Sequence, residues 1–295
     1  MSKVSFSLDW ISVTFVFQDL QEVFYPPTKM SFEVTETRGI GSYNQGVTCQ
    51  YFSVYWHSEH PENKVLLVMT GTQLSEYRKG GNTESDLLVH FIKLKGNFTR
   101  LDFAMDIFDS EGKPEDLYNR WHTPGLITKA RSVNIVQGRR EKENTGTTVY
   151  IGSRQSERMI RIYDKGKQSG LKLDWLRAEL EYKGGRANQL ASAMTKYGVN
   201  NGGVVHMRQF IQFTDVDWFE KALQGEYEEF EIESIGRPET DHDKWLRKVV
   251  LPAVSEAIRT KTPGFLEAIQ AILQDAEDEK YQHGPSLTPN SRTKN

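Results

Sequence analysis

The chain has 295 residues, with 37 Lys/Arg against 40 Asp/Glu and a formal net charge of −3. A single cysteine, Cys49, excludes a disulfide framework within the chain and a cysteine-based metal site. No stretch reaches the ~18 apolar residues of a membrane helix, and the N-terminus runs straight into strand-like alternation with no apolar leader, so the chain reads as cytoplasmic with no membrane partner.

The net charge alone argues against a nucleic-acid partner, but its distribution does not. Residues 121–186 hold 14 Lys/Arg and 7 Asp/Glu, a local +7, while residues 215–244 hold 3 Lys/Arg and 11 Asp/Glu, a local −8. A basic centre can bind phosphate inside an acidic protein. Two ordinary solvated surfaces account for the same counts.

In chain order, Ser7–Phe17 alternates and is rich in β-branched and aromatic residues, which predicts a strand. Residues 18–30 contain Pro26-Pro27 and read as loop, with a short helix before it as the alternative. Strand signals recur over Met30–Thr37, Thr48–Trp56 and Val65–Met69, with a turn at Arg38–Ser42 and another at Gly71–Gln73. Leu87, Leu88, Phe91 and Ile92 repeat at helical spacing within Glu84–Leu94. His57 and His60 lack the alternate spacing of a strand-borne metal pair and read as loop or surface histidines.

Asn97–Asp109 follows as a strand. Side chains on a strand repeat every two residues, so Asp102, Ala104 and Asp106 share one face. Like charges so placed need compensation, by an arginine or by a divalent ion. Two solvated acids on an outward face are the plain alternative. Glu115–Trp121 reads as a helix, Arg131–Gln137 as a strand, and Arg139–Asn144 as a charged loop. Gly146–Arg158 joins a strand, a glycine turn and a basic loop, and reads as the first half of a hairpin.

The second half is Met159-Ile160-Arg161-Ile162-Tyr163-Asp164-Lys165. Arg161, Tyr163 and Lys165 share one face, with Ile160 and Ile162 turned to a core. In Trp175–Lys183, Arg177, Glu179, Glu181 and Lys183 fall on one strand face. A helix is the alternative there, because Glu179 and Lys183 are spaced as an i,i+4 pair. If this strand lies beside the Asp102 strand, two or three carboxylates converge, an oxygen-rich set suited to Mg²⁺ or Mn²⁺. Ala187–Tyr197 reads as a helix, Gly202-Gly203 as a break, and His206–Phe213 as helix or strand. Lys244–Ile258 reads as a helix that Pro252 kinks or restarts. Thr262-Pro263 caps a last helix, and residues 283–295 read as a disordered tail. The expected organisation is a core over residues 1–213, an acidic and helical part over 214–282, and the tail.

Three blocks taken together, Phe98–Asp106, Tyr150–Lys165 and Trp175–Glu181, resemble the Rep_trans or replication initiation factor family of rolling-circle plasmid and phage initiators and relaxases of integrative elements. The resemblance covers roughly residues 5–260 and is strongest in the middle third. It implies an α+β fold with a strongly curved, mainly antiparallel sheet and helices packed outside. It implies a metal-dependent nickase in which Tyr163 attacks a DNA phosphodiester, with Arg161 and Lys165 beside it. It implies Mg²⁺ or Mn²⁺ held by three of Asp102, Glu179, Glu181 and Asp106, taken in that order. Arg154, Arg158, Arg177, Arg139 and Arg140 are the candidate DNA contacts. The implied partners are single-stranded or extruded origin DNA, a host replicative helicase and a second copy of the chain. A relaxase of a phage or integrative conjugative element, and a DNA-binding regulator of the same fold without catalysis, are the competing readings. Asp164 and the acidic 215–243 segment depart from the family pattern.

Overall fold

Strict alternation in the central strands sorts their side chains onto two unlike faces. The computed structural model describes residues 3–16, 33–59, 64–109, 112–140, 143–171, 173–233, 251–260 and 264, with residues 122, 139, 140, 143–145, 253, 257 and 258 described by backbone alone. It divides into two units, Met1–Ser234 and Ile235–Asn295.

The first unit is built on β1 (Lys3–Phe15), β2 (Thr35–Ile40), β3 (Tyr43–Thr48), β4 (Ser53–Trp56), β5 (Val65–Thr70), β6 (Asn97–Phe108), β7 (Leu126–Thr128), β8 (Val133–Arg140), β9 (Glu143–Ile151), β10 (Arg158–Asp164), β11 (Trp175–Lys183) and β12 (Ile211–Phe213). Ten of them form one sheet in the order β2-β3-β4-β5-β1-β6-β11-β10-β9-β8, and β12 pairs with β7. Every neighbouring pair is antiparallel. Between the strands run α1 (Gly71–Lys79), α2 (Glu84–Lys93), α3 (Pro114–Asn119), α4 (Lys165–Gln168), α5 (Gly185–Tyr197), α6 (Val199–Phe210) and α7 (Asp217–Ala222). This is the expected α+β class with a mainly antiparallel sheet. In the second unit α8 (Leu251–Arg259) is described and contains Pro252, while residues 244–250 of the expected helix lie outside the described residues. The expected last helix after Thr262-Pro263 and the tail lie outside the described residues.

One face of the sheet is apolar and covered by α5 and α6. Leu101, Phe103, Met105 and Ile107 of β6, Ile160 and Ile162 of β10, and Leu180 and Tyr182 of β11 are buried there. Burying each large apolar side chain contributes about 1.5–3 kcal/mol. The other face carries the charged residues of the same strands.

Several local expectations give way to tertiary packing. Gly202-Gly203 is no break: both lie inside α6, where a Cβ on Gly203 would meet the Phe103 ring at 2.4 Å and one on Gly202 the Met194 backbone at 2.8 Å. The glycines let α6 approach the sheet and α5. Gly71–Gln73 is not a free turn but the start of α1. Thr70 caps it, with its hydroxyl accepting from Gln73 N and Gln73 Oε1 accepting from Thr70 N, a capping box. Arg38–Ile40 continues β2, and residues 49–52 split the expected Thr48–Trp56 strand into two. Of the charged 139–144 segment, Arg139 and Arg140 end β8 and Glu143 and Asn144 begin β9. Trp175–Lys183 is the strand, not the helix.

Candidate active site

Pairing of β11 with β6 sets Glu181 opposite Asp102, Glu179 opposite Ala104 and Arg177 opposite Asp106. Pairing of β10 with β11 sets Arg161 opposite Glu179 and Tyr163 opposite Arg177. The period of two therefore brings four carboxylates, two arginines and a phenol onto one patch of the charged face. A cleft of about 800 Å³ opens over it, between β1, β9, β10, β11 and α1.

Tyr163 is buried, at 7 % exposure, and its hydroxyl donates to Glu179 Oε1. Burial and then the Glu179 carboxylate push its phenol well above the usual tyrosine range, against the pull of Arg177. Arg161 is already committed to carboxylates. Its Nε donates to Glu179 Oε2, its Nη2 lies 3.2 Å from Asp102 Oδ2, and its Nη1 lies 3.8 Å from Glu181 Oε2. Lys165 is not on the strand. β10 ends at Asp164, whose side chain accepts from Lys167 N at 2.8 Å and starts the short α4. The Lys165 ammonium still lies 5.7 Å from the centre of the Tyr163 ring.

The carboxylates are held by arginines in turn. Arg100 grips Asp102 with two bonds, 2.8 and 2.5 Å, and reaches Glu181 at 2.9 Å. Glu181 also accepts from Lys183 at 2.8 Å. These cations hold the Glu181 carboxyl below its ordinary value despite burial. Asp102 is fully buried, and burial raises its carboxyl to about 6 against Arg100 and Arg161, with Glu181 adding to the rise. Arg177, at 11 % side-chain exposure, makes two 2.7 Å bonds to Asp106 and one to Asp9. Trp175 Nε1 donates to Asp106 at 2.6 Å.

The donors are all oxygens, the chemistry a hard divalent ion takes. Their arrangement does not fit one. Among the described residues no three His, Cys, Asp or Glu side chains form a metal-ligand group. The place between Asp102, Glu179 and Glu181 is taken by the Arg161 guanidinium.

Of the candidate DNA contacts, Arg154 sits over the Tyr150 ring, with 2.8 Å from its Nη2 to the Tyr150 hydroxyl, and Tyr150 lines the cleft. Arg177 lines the cleft too, buried in its ion pairs. Arg158 is elsewhere: alternation turns it to the helix-covered face, 4.8 Å over the Phe210 ring. The Arg139 and Arg140 side chains, and His60, lie outside the described residues. Asp9, Arg100 and Trp10 complete the patch. Arg100 and Asp102 are two apart on one strand, a signal that was readable. Trp10 joins by a bulge in β1 between Leu8 and Trp10, and Arg100 lies 4.6 Å over its ring.

Residues 96–229 match the family model described as replication initiation factor. That span contains all three blocks on which the resemblance rests. The putative DNA relaxase NicK of Bacillus subtilis (strain 168) is 23 % identical over 238 residues, which is 71 % of this chain and 64 % of that protein. The chain thus matches slightly less than two thirds of that relative's length. The structure of a rolling circle replication initiator protein from Geobacillus stearothermophilus matches with a TM-score of 0.64 at 23 % identity, over 75 % of this chain and 96 % of that one. The likeness establishes the fold. Among the described residues no helix is long and apolar enough to cross a membrane.

Proposed function

We propose, for a chain whose residues 96–229 match the replication initiation factor family, that Tyr163 nicks one strand of origin DNA and later reseals it. The observation that carries the reading is the hydrogen bond from the Tyr163 hydroxyl to Glu179 inside the cleft. A phenol held above its usual pKa is a poor nucleophile unless a base takes its proton as it attacks. Glu179 is in place to do so. The Tyr163 Oη–P bond forms and the P–O3′ bond breaks. The 3′ oxygen leaves with a proton, which Glu179 can return. The products are a 5′-phosphotyrosine and a free 3′-OH. One phosphoester replaces another, so the step reverses when a 3′-OH attacks the phosphotyrosine.

The cleft suits an unpaired strand. Trp10 offers a ring face for a base, and Lys79 and Lys165 offer charge to the backbone. Mg²⁺ or Mn²⁺ enters this reading as a competitor of Arg161 for Asp102, Glu179 and Glu181, and no step is routed through a metal. A relaxase acting on a mobile element would use the same chemistry, and the likeness to a DNA relaxase keeps that reading beside the first.

The test incubates the full chain with single-stranded origin oligonucleotides of the element that encodes it, with and without Mg²⁺ or Mn²⁺. The expected result is a covalent protein–DNA adduct that is lost in Tyr163→Phe. An undiminished adduct in that variant, or none with any origin sequence, overturns the proposal and favours a regulator that only binds.

A further inference from the structure

Behind the sheet, on the helix-covered face, lies a second polar pocket of about 180 Å³. Arg158 of β10, Tyr182 of β11, Arg186 of α5, His206 of α6, Lys129 and Glu233 line it. The alternation of β10 that sends Arg161 and Tyr163 into the cleft sends Arg158 here, so the two sites lie on opposite faces of one strand.

The charge is unusual. Three cations converge, and among the described residues none of them is ion-paired to a carboxylate. Arg158 bonds the Tyr182 hydroxyl and stacks on Phe210. Arg186 donates to Gln189 Oε1 at 3.1 Å and lies 3.5 Å from the Glu233 carbonyl. Burial, and repulsion from Arg186, draw the Arg158 guanidinium below its usual range. Three cations against the single Glu233 carboxylate leave the pocket with excess positive charge, which costs stability unless an anion joins them. His206 gives the second, independent observation. It is 1 % exposed, it lines the pocket, and among the described residues neither ring nitrogen has a hydrogen-bond partner. Buried polar groups are nearly always satisfied, so an orphaned imidazole in a basic pocket points to an absent acceptor.

We propose that this pocket binds a phosphate group, with Arg158, Arg186 and Lys129 supplying charge and His206 a ring N–H. At roughly 30 Å³ per water the volume takes a phosphate and some solvent, but not a nucleoside. The phosphate belongs either to a nucleic-acid backbone passing behind the sheet or to a free phosphate or phosphomonoester. The site does not depend on Tyr163.

The test follows the His206 ring C–H resonances of the full chain, assigned by their loss in His206→Gln. Inorganic phosphate is titrated in one arm, and a short single-stranded oligonucleotide without terminal phosphate in the other. A saturable shift with phosphate supports a free or monoester ligand, and one with the oligonucleotide supports a backbone ligand. Arg186→Gln, and Lys129→Gln at an exposed position, should each weaken the effective arm about tenfold, the loss of one charge-assisted bond. Tyr163→Phe should leave it unchanged. No shift in either arm, or an equal shift in the Lys129→Gln and Arg186→Gln proteins, overturns the site.

Discussion

The Tyr163 hydroxyl donates to the carboxylate of Glu179, and the same carboxylate receives Arg161 on its other oxygen. The acceptor is thus fixed from two sides, and its free role is narrow: it can take the phenol proton without changing position. Glu179→Gln keeps the shape and removes the basicity. The expected result is a folded protein whose cleavage slows by roughly 10²–10⁴-fold, the usual contribution of a positioned base. Unchanged cleavage at pH 7 would remove Glu179 as the base and leave solvent in its place.

Arg161 holds together three carboxylates that would otherwise repel. With these acids nearly fully buried, its removal leaves them unbalanced, and breaking such a buried arrangement costs about 3–5 kcal/mol. Arg161→Ala should therefore melt well below the parent protein. It should also regain more stability from millimolar Mn²⁺ than the parent does, because the ion can enter the vacated place between Asp102, Glu179 and Glu181. Thermal melting of both proteins with and without Mn²⁺ reads this directly. An equal response of the two proteins would mean that Arg161 and the metal do not compete.

The period of two made much of this patch readable in advance. It placed Arg161 with Tyr163, and Asp102 with Asp106, because a strand face needs no tertiary information. The strand register that puts Glu181 opposite Asp102 is a pairing between segments some 80 residues apart, and nothing in either segment states it. Lys165 was misplaced because Asp164 prefers to cap a helix turn to extending the strand. Arg177 carried only its charge in the sequence. That it spends that charge on Asp106 and Asp9 depends on β1 lying next to β6. Gly202-Gly203 misled for a related reason: the same missing side chain that breaks an isolated helix lets a packed one approach its neighbours.

Asp102 gives a pH dependence with a definite sign. Its carboxyl titrates near 6 in the fold and near 3.8 unfolded. Below about pH 4 both states hold the proton. Between about 4 and 6 only the folded state does, so this group's support for the fold is lost as the pH rises through that window, by up to about 3 kcal/mol. Glu181, held low, works the other way, and its support is lost as the pH falls below the ordinary glutamate range. Asp102→Asn removes the first effect alone. Urea denaturation at pH 4.5 and pH 7 should show the variant declining less than the parent over this interval. Parallel declines would mean that Arg100 and Arg161 keep Asp102 ionised throughout.

Gly203 tests how tightly α6 seats on the sheet behind the site. Alanine is the better helix former by about 1 kcal/mol, so an exposed glycine here would gain from replacement. The Phe103 ring decides otherwise. A Cβ would lie 2.4 Å from it, and the ring is fully buried and stacked on Phe6 at 5.7 Å between centroids. Either the ring leaves its stack or α6 lifts, and overpacking of this kind costs about 1–3 kcal/mol. Gly203→Ala should lower stability on balance, and Gly203→Ala with Phe103→Leu should recover part of the loss, since the smaller side chain makes room for the methyl group. Because Phe103 follows Asp102 on β6, a shift of that strand also moves the carboxylate gripped by Arg100. The single variant should therefore slow cleavage as well as melt earlier, and the double variant should restore both together. Stability recovered without activity would show that the seating of α6 and the geometry of the charged face are set independently.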